Sequence, residues 1–126
     1  FMVSFVEFEA GEKIKLHDHP GMTGVIRCLE GRVNVQNYTL QEKRSLNNKL
    51  LLKQESSITL TADCTSTLTS CMGNIHSLQA DKFSRLIDVF TPPYNDERSN
   101  NSRWYKKDSS YYQGIRGLFE ADIINN

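Results

Sequence analysis

The feature of this sequence that most constrains its fold is a succession of short strand-like segments separated by turns. The segments are rich in Val, Ile, Thr and aromatic residues, and glycines or polar clusters bound them, a pattern typical of β-strands. They cover residues 2–9, 13–17, 23–30, 32–40, 50–53, 57–60, 65–69, 75–79 and 85–90. No segment before residue 91 carries a helical period. The sequence therefore predicts an all-β fold, either a sandwich or a barrel.

Beyond residue 90 the strand pattern is interrupted. Pro92 and Pro93 cannot both lie inside a paired central strand, and the polar stretch 95–101 is typical of a loop. Aromatic residues return over 104–112, and residues 118–126 are predicted to form one short helix or a tail that docks on a neighbour. We therefore expect a single domain, with a barrel core over residues 1–94 and a C-terminal extension over residues 95–126 that packs on or beside it.

The composition argues against several classes of function. The 15 Lys and Arg residues balance 15 Asp and Glu residues, so the chain lacks the positive charge of a nucleic-acid-binding protein and no such partner is expected. No apolar run is long enough for a transmembrane helix, so no membrane span is expected. The first residues alternate like a strand and do not resemble a signal peptide, which favours a cytoplasmic location. A chain that begins with Phe1 is typical of a fragment, so a mitochondrial or other organellar location is the alternative if an N-terminal segment is missing.

All three histidines of the chain stand at the ends of predicted strands. His17 and His19 are two residues apart, a spacing that places both imidazoles on one face of a sheet, and His76 begins another strand. Three neutral imidazoles that converge from one side would leave the opposite side of a metal ion open to substrates. The alternative is that His76 is an ordinary core histidine and that the pair lies in a solvated turn. Spacing alone does not decide between the two.

The histidine segments resemble the two sequence motifs of the cupin superfamily. Residues 11–31 (Gly-x5-His-x-His, closed by a glycine) resemble the first motif, and residues 73–76 (Gly-x2-His) resemble the core of the second. Many cupins carry a glutamate metal ligand four or five positions after the histidine pair, where this chain has Thr23 and Gly24. A three-histidine site without that glutamate is the pattern of the thiol dioxygenases.

The closer resemblance is to the family of cysteamine dioxygenase and the plant cysteine oxidases. The matching segments are LHDHPGMT (16–23), GNIH (73–76) and DVFTPPY (88–94), with Tyr38 and Cys64 at similar separations between them. The resemblance implies a cupin double-stranded β-helix (jelly-roll barrel), followed here by a short C-terminal extension. It also implies one Fe(II) ion as cofactor, held by His17, His19 and His76.

The activity implied by the resemblance is the addition of both atoms of O2 to a thiol sulfur, which gives a sulfinic acid. The substrate would be a small aminothiol such as cysteamine or the N-terminal cysteine of a protein, and the second case would make the protein an oxygen sensor. Asp88 matches a family aspartate near the iron, and Tyr38 matches a family tyrosine that lines the pocket. Without the family, Asp88 reads equally well as a strand-end residue paired with Arg85, and Tyr38 as a core residue.

Departures from the family pattern keep other functions open. Residues 102–105 (SRWY) stand where members often have Cys-x-Tyr, so a thioether crosslink is ruled out on this alignment. The chain is therefore either an active dioxygenase or a catalytically altered cupin that serves as a structural or binding subunit of a larger assembly. A weaker third reading is a zinc hydrolase that uses the three histidines and a metal-bound hydroxide.

Overall fold

The computed structural model describes residues 1–92 and 102–125, where the regular secondary structure is β-strand apart from one short 3₁₀ helix over Tyr112–Gly114. Its ten strands are β1 (Met2–Phe8), β2 (Lys13–His17), β3 (Thr23–Glu30), β4 (Val33–Leu40), β5 (Leu50–Leu60), β6 (Thr65–Leu68), β7 (Ile75–Ala80), β8 (Ser84–Thr91), β9 (Trp104–Lys107) and β10 (Leu118–Ile124). The prediction of an all-β fold is confirmed. Two segments that the sequence separates, 50–53 and 57–60, form the single strand β5. Over the described residues, no helix has the length and apolar character needed to cross a membrane.

The strands form two layers, and the main hydrophobic core lies between them. Four strands make an open sheet in the order β1-β8-β3-β6, and the other six close a barrel in the order β10-β5-β4-β7-β2-β9. The main core lies between the open sheet and the β4-β5-β7 side of the barrel, and its buried members are Phe8, Ile26, Cys28, Val33, Val35, Leu60, Leu78, Ala80 and Leu86. Side chains on the opposite face of β2, β4 and β7 fill the interior of the six-stranded barrel, in a second core that includes Leu16, Tyr38, Leu52, Ile75, Tyr105, Phe119 and Ala121. The ends of β2, β4 and β7 that carry Leu16, Tyr38 and Ile75 are therefore covered on both faces.

The C-terminal segment supplies two strands of the six-stranded barrel. Strand β10 pairs with β5 and with β9, and β9 in turn reaches β2, so that the barrel closes. The prediction of a helix or a docked tail at 118–126 is wrong, because this segment forms β10. Phe119 and Ala121 alternate inward there, and the free edge of β5 provides the hydrogen-bond partners of a strand. The predicted loop at 95–101 lies outside the described residues.

Candidate metal centre

The structure brings the three histidines of the chain together. His17 ends β2, His19 lies in the turn that follows, and His76 is paired directly with His17 across β2 and β7. Each pair of imidazole rings has its centroids 4.7 to 4.8 Å apart. The three side chains belong to residues that are only 8%, 4% and 2% exposed, in that order. The alternative of a solvated histidine pair and a separate core histidine is therefore wrong.

A β-bulge in β2 turns His17 toward the other two histidines. Ile14 is paired with Leu78, but His17 is paired with His76, so β2 contains one residue more than β7 between the two pairs. Ile14 packs against the core between the layers, and in a regular strand a residue three positions later would face the other way. The bulge restores His17 to the face of Ile14 and sends Leu16 into the barrel core.

Backbone and amide groups orient two of the imidazoles. The Nδ1 atom of His17 lies 2.7 Å from the carbonyl oxygen of Lys15, so that Nδ1 carries the proton and Nε2 keeps a lone pair. The amide of Asn74 holds the turn that carries His19: its Oδ1 accepts from the His19 N–H and its Nδ2 donates to the His19 carbonyl, both at 2.8 Å. The histidine pair and the GNIH segment are therefore joined directly.

The spacing of the ring nitrogens fits a metal ion. The Nε2 atoms of His19 and His76 lie 2.9 Å apart, and one nitrogen from each of the three rings lies within 4.8 Å of the others. Two nitrogens bound at right angles to one ion, each at about 2.1 Å, would lie about 3 Å apart, close to the first of these distances. Two lone pairs this close require a shared proton or a cation between them. The cluster therefore fits a metal ion held by His17, His19 and His76.

Burial keeps these imidazoles neutral, which is the form that binds metal. Desolvation lowers the pKa of His17. The pKa of His19 is lowered to about 3, first by desolvation and then by the neighbouring ring of His17. For His76 the pKa falls well below its usual value, first because of desolvation and then because of the other two rings. At neutral pH no proton therefore has to be displaced from a charged imidazole before a cation binds.

The histidines form one wall of a cavity of about 210 Å³ between the two layers. The opposite wall comes from β1, β3 and β8, and the lining side chains are mainly apolar: Met2, Val6, Phe8, Ile14, Ile26, Leu78, Leu86 and Phe90, with Ser4 as a small polar member. Asp88 contributes the carboxylate of this lining. The cavity is therefore an apolar chamber with a candidate metal site on one side and one acidic group.

Asp88 is poised to receive a cation or a hydrogen-bond donor. Its Oδ1 is buried and has no hydrogen-bond partner among the residues that the structure describes, and burial raises its pKa from 3.8 to about 6. Arg85, the alternative partner that the sequence suggests, lies instead 3.4 Å and 3.2 Å from carboxylate oxygens of Glu7 and Glu30. The structure therefore places Asp88 at the same cavity as the three histidines, and within residues 1–92 and 102–125 it forms no ion pair.

Tyr38 does not lie at this cavity. Its neighbour on β4, Asn37, is turned toward the space between the layers, so the alternation of the strand turns Tyr38 into the six-stranded barrel. There it packs with Leu16, and its ring centroid lies 6.0 Å from that of Phe119. The prediction that Tyr38 lines the pocket of the metal site is therefore wrong: it belongs to the core of the six-stranded barrel.

The sequence does not reveal that Phe90 is part of the site. Its ring stacks on the His19 imidazole, with centroids 4.7 Å apart and planes inclined by 16°. The ring lies over Gly24, where a Cβ atom would be only 2.2 Å from Cε1 of Phe90. One of the two positions at which many cupins carry a glutamate therefore has no side chain here, and Phe90 takes the space. Gly24 itself was the available signal, because a glycine inside a strand often marks a close approach.

Substituting Gly24 with alanine should therefore disturb the site through Phe90. The new methyl group forces the Phe90 ring from its place on His19, and we expect the free energy of unfolding to fall by about 1–3 kcal/mol, as for other overpacked cores. Urea denaturation of the metal-free protein measures this change.

Two further variants check the cause of that loss. Adding Phe90→Leu to Gly24→Ala should recover part of the lost stability, because the smaller side chain makes room for the methyl group. Thr23→Ala, on the exposed neighbouring position, should change the stability by less than about 0.5 kcal/mol. A Gly24→Ala protein as stable as the parent chain would contradict the close packing of Phe90.

Comparison with known proteins identifies the family of the chain. The family model described as PCO_ADO matches residues 1–118. The chain belongs to the PCO_ADO family. A curated relative is plant cysteine oxidase 2 of Arabidopsis thaliana, which is 28% identical over 96 residues. That match covers 73% of this chain and 35% of the relative, so the chain spans about a third of the length of the curated relative. The resemblance to this family that the sequence indicates is confirmed.

Solved structures similar to this member of the PCO_ADO family support the cupin architecture. The CENP-C cupin domain of Drosophila melanogaster aligns with a TM-score of 0.56 at 17% identity, covering 71% of this chain and 60% of that one. Oxalate oxidase in complex with the substrate analogue glycolate aligns with a TM-score of 0.51 at 20% identity, covering 79% and 42%. At these identities the likeness concerns the fold, and it confirms the prediction of a cupin jelly-roll barrel.

Proposed function

We propose that this protein is an Fe(II)-dependent thiol dioxygenase. The observation that carries the proposal is a cluster of three buried imidazoles on the wall of a mainly apolar cavity, with no carboxylate joining the cluster among the residues that the structure describes. Membership of the PCO_ADO family supports it, as does the relative whose name designates a cysteine oxidase. The substrate would be a small aminothiol such as cysteamine or the N-terminal cysteine of a protein, and the second substrate is O2.

The metal would be held by His17, His19 and His76. A ligand set of three neutral nitrogens leaves the ion its full charge, which attracts a thiolate, and it leaves positions open for substrates. Ferrous iron in such a site supplies the one-electron chemistry that lets dioxygen react with sulfur. Zinc would lack that chemistry, so the iron-loaded form is the one expected to turn over.

The overall reaction balances without a further reductant. One thiol and one dioxygen give one sulfinic acid: two sulfur–oxygen bonds form, the bond between the oxygen atoms breaks, and the thiol proton remains on the product. Sulfur is oxidised and dioxygen is reduced by the same number of electrons. The protein has to hold the thiol and dioxygen side by side and to keep water and reductants away from them.

The residues of the cavity suit that task. Asp88 faces the histidines across an apolar space, and its unpartnered Oδ1 is the natural acceptor for a substrate ammonium group. Cysteamine and an N-terminal cysteine both carry an amine two carbon atoms from the sulfur, so one carboxylate serves either substrate. Apolar side chains such as Met2, Val6 and Phe8 exclude water from the reacting sulfur.

Oxygen consumption by the iron-loaded protein tests this function. The protein is purified anaerobically, its metal is determined, and oxygen uptake is followed with cysteamine and with a peptide that begins with cysteine. We expect iron and uptake with one or both thiols. A peptide that begins with serine, and the cysteine peptide with an acetylated amine, are matched controls and should be oxidised poorly or not at all.

Two other outcomes of this experiment would favour a different function. Iron without oxygen uptake for either thiol would favour a cupin that serves as a structural or binding subunit. Stoichiometric zinc that iron does not replace would favour a hydrolase. Either result would overturn the dioxygenase proposal.

A further inference from the structure

The residue between His17 and His19 in the sequence, Asp18, has a buried carboxylate. Asp18 is only 4% exposed, and three donors from the C-terminal segment converge on it. The backbone N–H and the Nε of Arg103 donate to its two oxygens at 2.7 Å and 2.9 Å, and the Tyr105 hydroxyl donates at 2.7 Å. The Asp18 N–H donates in return to the Arg103 carbonyl at 3.0 Å.

The C-terminal segment also contacts one of the candidate metal ligands directly. His17 is paired with Trp104 of β9, and the two rings have their centroids 4.9 Å apart. His17 therefore stands between β7, which carries His76, and β9, which carries the donors to Asp18. Strand β9 is itself anchored to β10, and Tyr105 is buried in the core of the six-stranded barrel.

Charge and burial make this set of contacts interdependent. A buried carboxylate has to be paired or hydrogen-bonded, so Asp18 stays inside only while Arg103 and Tyr105 stay in place. The hydrogen bonds are charge-assisted and fix their partners more tightly than neutral ones would.

We propose that Asp18, Arg103 and Tyr105 are positioning residues of the metal centre. They hold the turn that carries His17 and His19 in the geometry that binds the ion, so the C-terminal segment forms part of the centre. The proposal rests on the proposed iron site. It goes beyond that site because it assigns a function to three residues that neither bind the metal nor line the cavity.

Metal affinity tests this role separately from turnover. The variant Tyr105→Phe removes one hydroxyl and keeps the ring, and the metal-free protein is titrated anaerobically with Fe(II) against a competing chelator. We expect the affinity to fall about 10- to 100-fold, the range usual for residues that orient metal ligands. The visible spectrum of the Co(II)-substituted protein should change as well, because the ligand geometry is altered.

A matched control lies on the same segment. Tyr112→Phe also removes one tyrosine hydroxyl, which accepts a hydrogen bond from the Leu46 N–H at 2.9 Å, but this bond is remote from the histidines. Tyr112→Phe should leave the Fe(II) affinity within about twofold of the parent value. That change is smaller than the one expected when a residue that orients a metal ligand is altered. Asp18→Asn, which keeps the shape but removes the charge, is a second test and should weaken Fe(II) binding at least as much as Tyr105→Phe.

The outcomes separate the two proposals. If the parent protein binds Fe(II) and both Tyr105→Phe and Asp18→Asn bind it equally well with the parent Co(II) spectrum, the positioning role is overturned and the dioxygenase proposal stands. Equal losses in Tyr105→Phe and Tyr112→Phe would also overturn it, because the effect would then be one of general stability. A parent protein that binds neither metal would overturn both proposals.

Discussion

Replacing His76 with alanine is expected to abolish iron binding and thiol oxidation while the two-layered fold survives. His76 supplies one of the three candidate ligands, and two imidazoles cannot hold the ion against solvent and chelators. The cavity left behind should lower the stability of the metal-free protein by about 1–3 kcal/mol. Loss of the buried His76 Nδ1, which has no hydrogen-bond partner within the described part of the chain, offsets part of that change. Metal content, oxygen uptake and circular dichroism measure the three effects.

Two companion variants make this result decisive. Ser77→Ala changes the next residue on β7, whose side chain faces away from the histidines, and it should bind iron and oxidise thiols like the parent protein. His76→Gln fills more of the space of the ring and should also lose iron, which guards against an alanine variant that fails to fold. Activity that persists in a folded His76 variant would show that the three-histidine site is wrong.

The substitution of Asp88 by asparagine is expected to weaken catalysis and to stabilise the metal-free protein. The carboxylate that would pair with the substrate ammonium is lost, and a charged hydrogen bond of about 2–3 kcal/mol corresponds to a fall of roughly 30- to 160-fold in kcat/KM. The same carboxylate is held in an apolar cavity with its pKa raised to about 6, so its ionised form opposes folding at neutral pH. Removing the charge should raise the free energy of unfolding at neutral pH by about 3 kcal/mol.

The pH dependence of that gain follows from the direction of the pKa shift. The pKa of Asp88 is higher in the folded protein than in the unfolded chain. The carboxyl group therefore does not destabilise the fold below pH 3.8, where it is protonated in both states, and it lowers the free energy of unfolding increasingly as the pH rises toward 6. The difference between Asp88→Asn and the parent protein should therefore be small in acid and fully developed above about pH 6. Protonation of the histidines affects both proteins alike and cancels in the difference.

An exposed aspartate provides the control for this variant. Asp63 pairs with Arg27 on the surface, where Asp63→Asn should change stability by less than about 1 kcal/mol. Urea denaturation across the pH range compares the two variants, and oxygen uptake at varied substrate concentration compares their kinetics. An Asp88→Asn protein that is less stable than the parent at neutral pH, or that oxidises thiols normally, would contradict the role given to Asp88.

The architecture was largely predictable because strand signals are local. Segments 13–17 and 23–30 coincide with β2 and β3, since apolar alternation and turn residues mark both ends. The strand at Leu118–Ile124 was missed because its formation depends on the free edge of β5, which is distant in sequence. The family, too, could be recognised from the sequence alone, because three short motifs stand in order over most of the first 94 residues.

The arrangement around the histidines was only partly predictable. Their convergence could be inferred from the motifs, but the bulge in β2 that turns His17 inward leaves no mark in the alternation of residues. Tyr38 was placed at the pocket because a motif match does not say which face of a strand a residue occupies. The contact between Asp18 and Tyr105 joins residues 87 positions apart, and only the closed barrel brings them together.

The most direct test of the dioxygenase account follows the oxygen atoms themselves. The iron-loaded protein is mixed anaerobically with a cysteine-initiated peptide or with cysteamine, exposed to dioxygen of a heavy isotope, and the product is analysed by mass spectrometry. The account predicts a sulfinic acid in which both added oxygens carry the label, formed by the parent protein and not by His76→Ala. A disulfide product, a product with oxygen from unlabelled water, or an unchanged thiol in the presence of bound iron would contradict it.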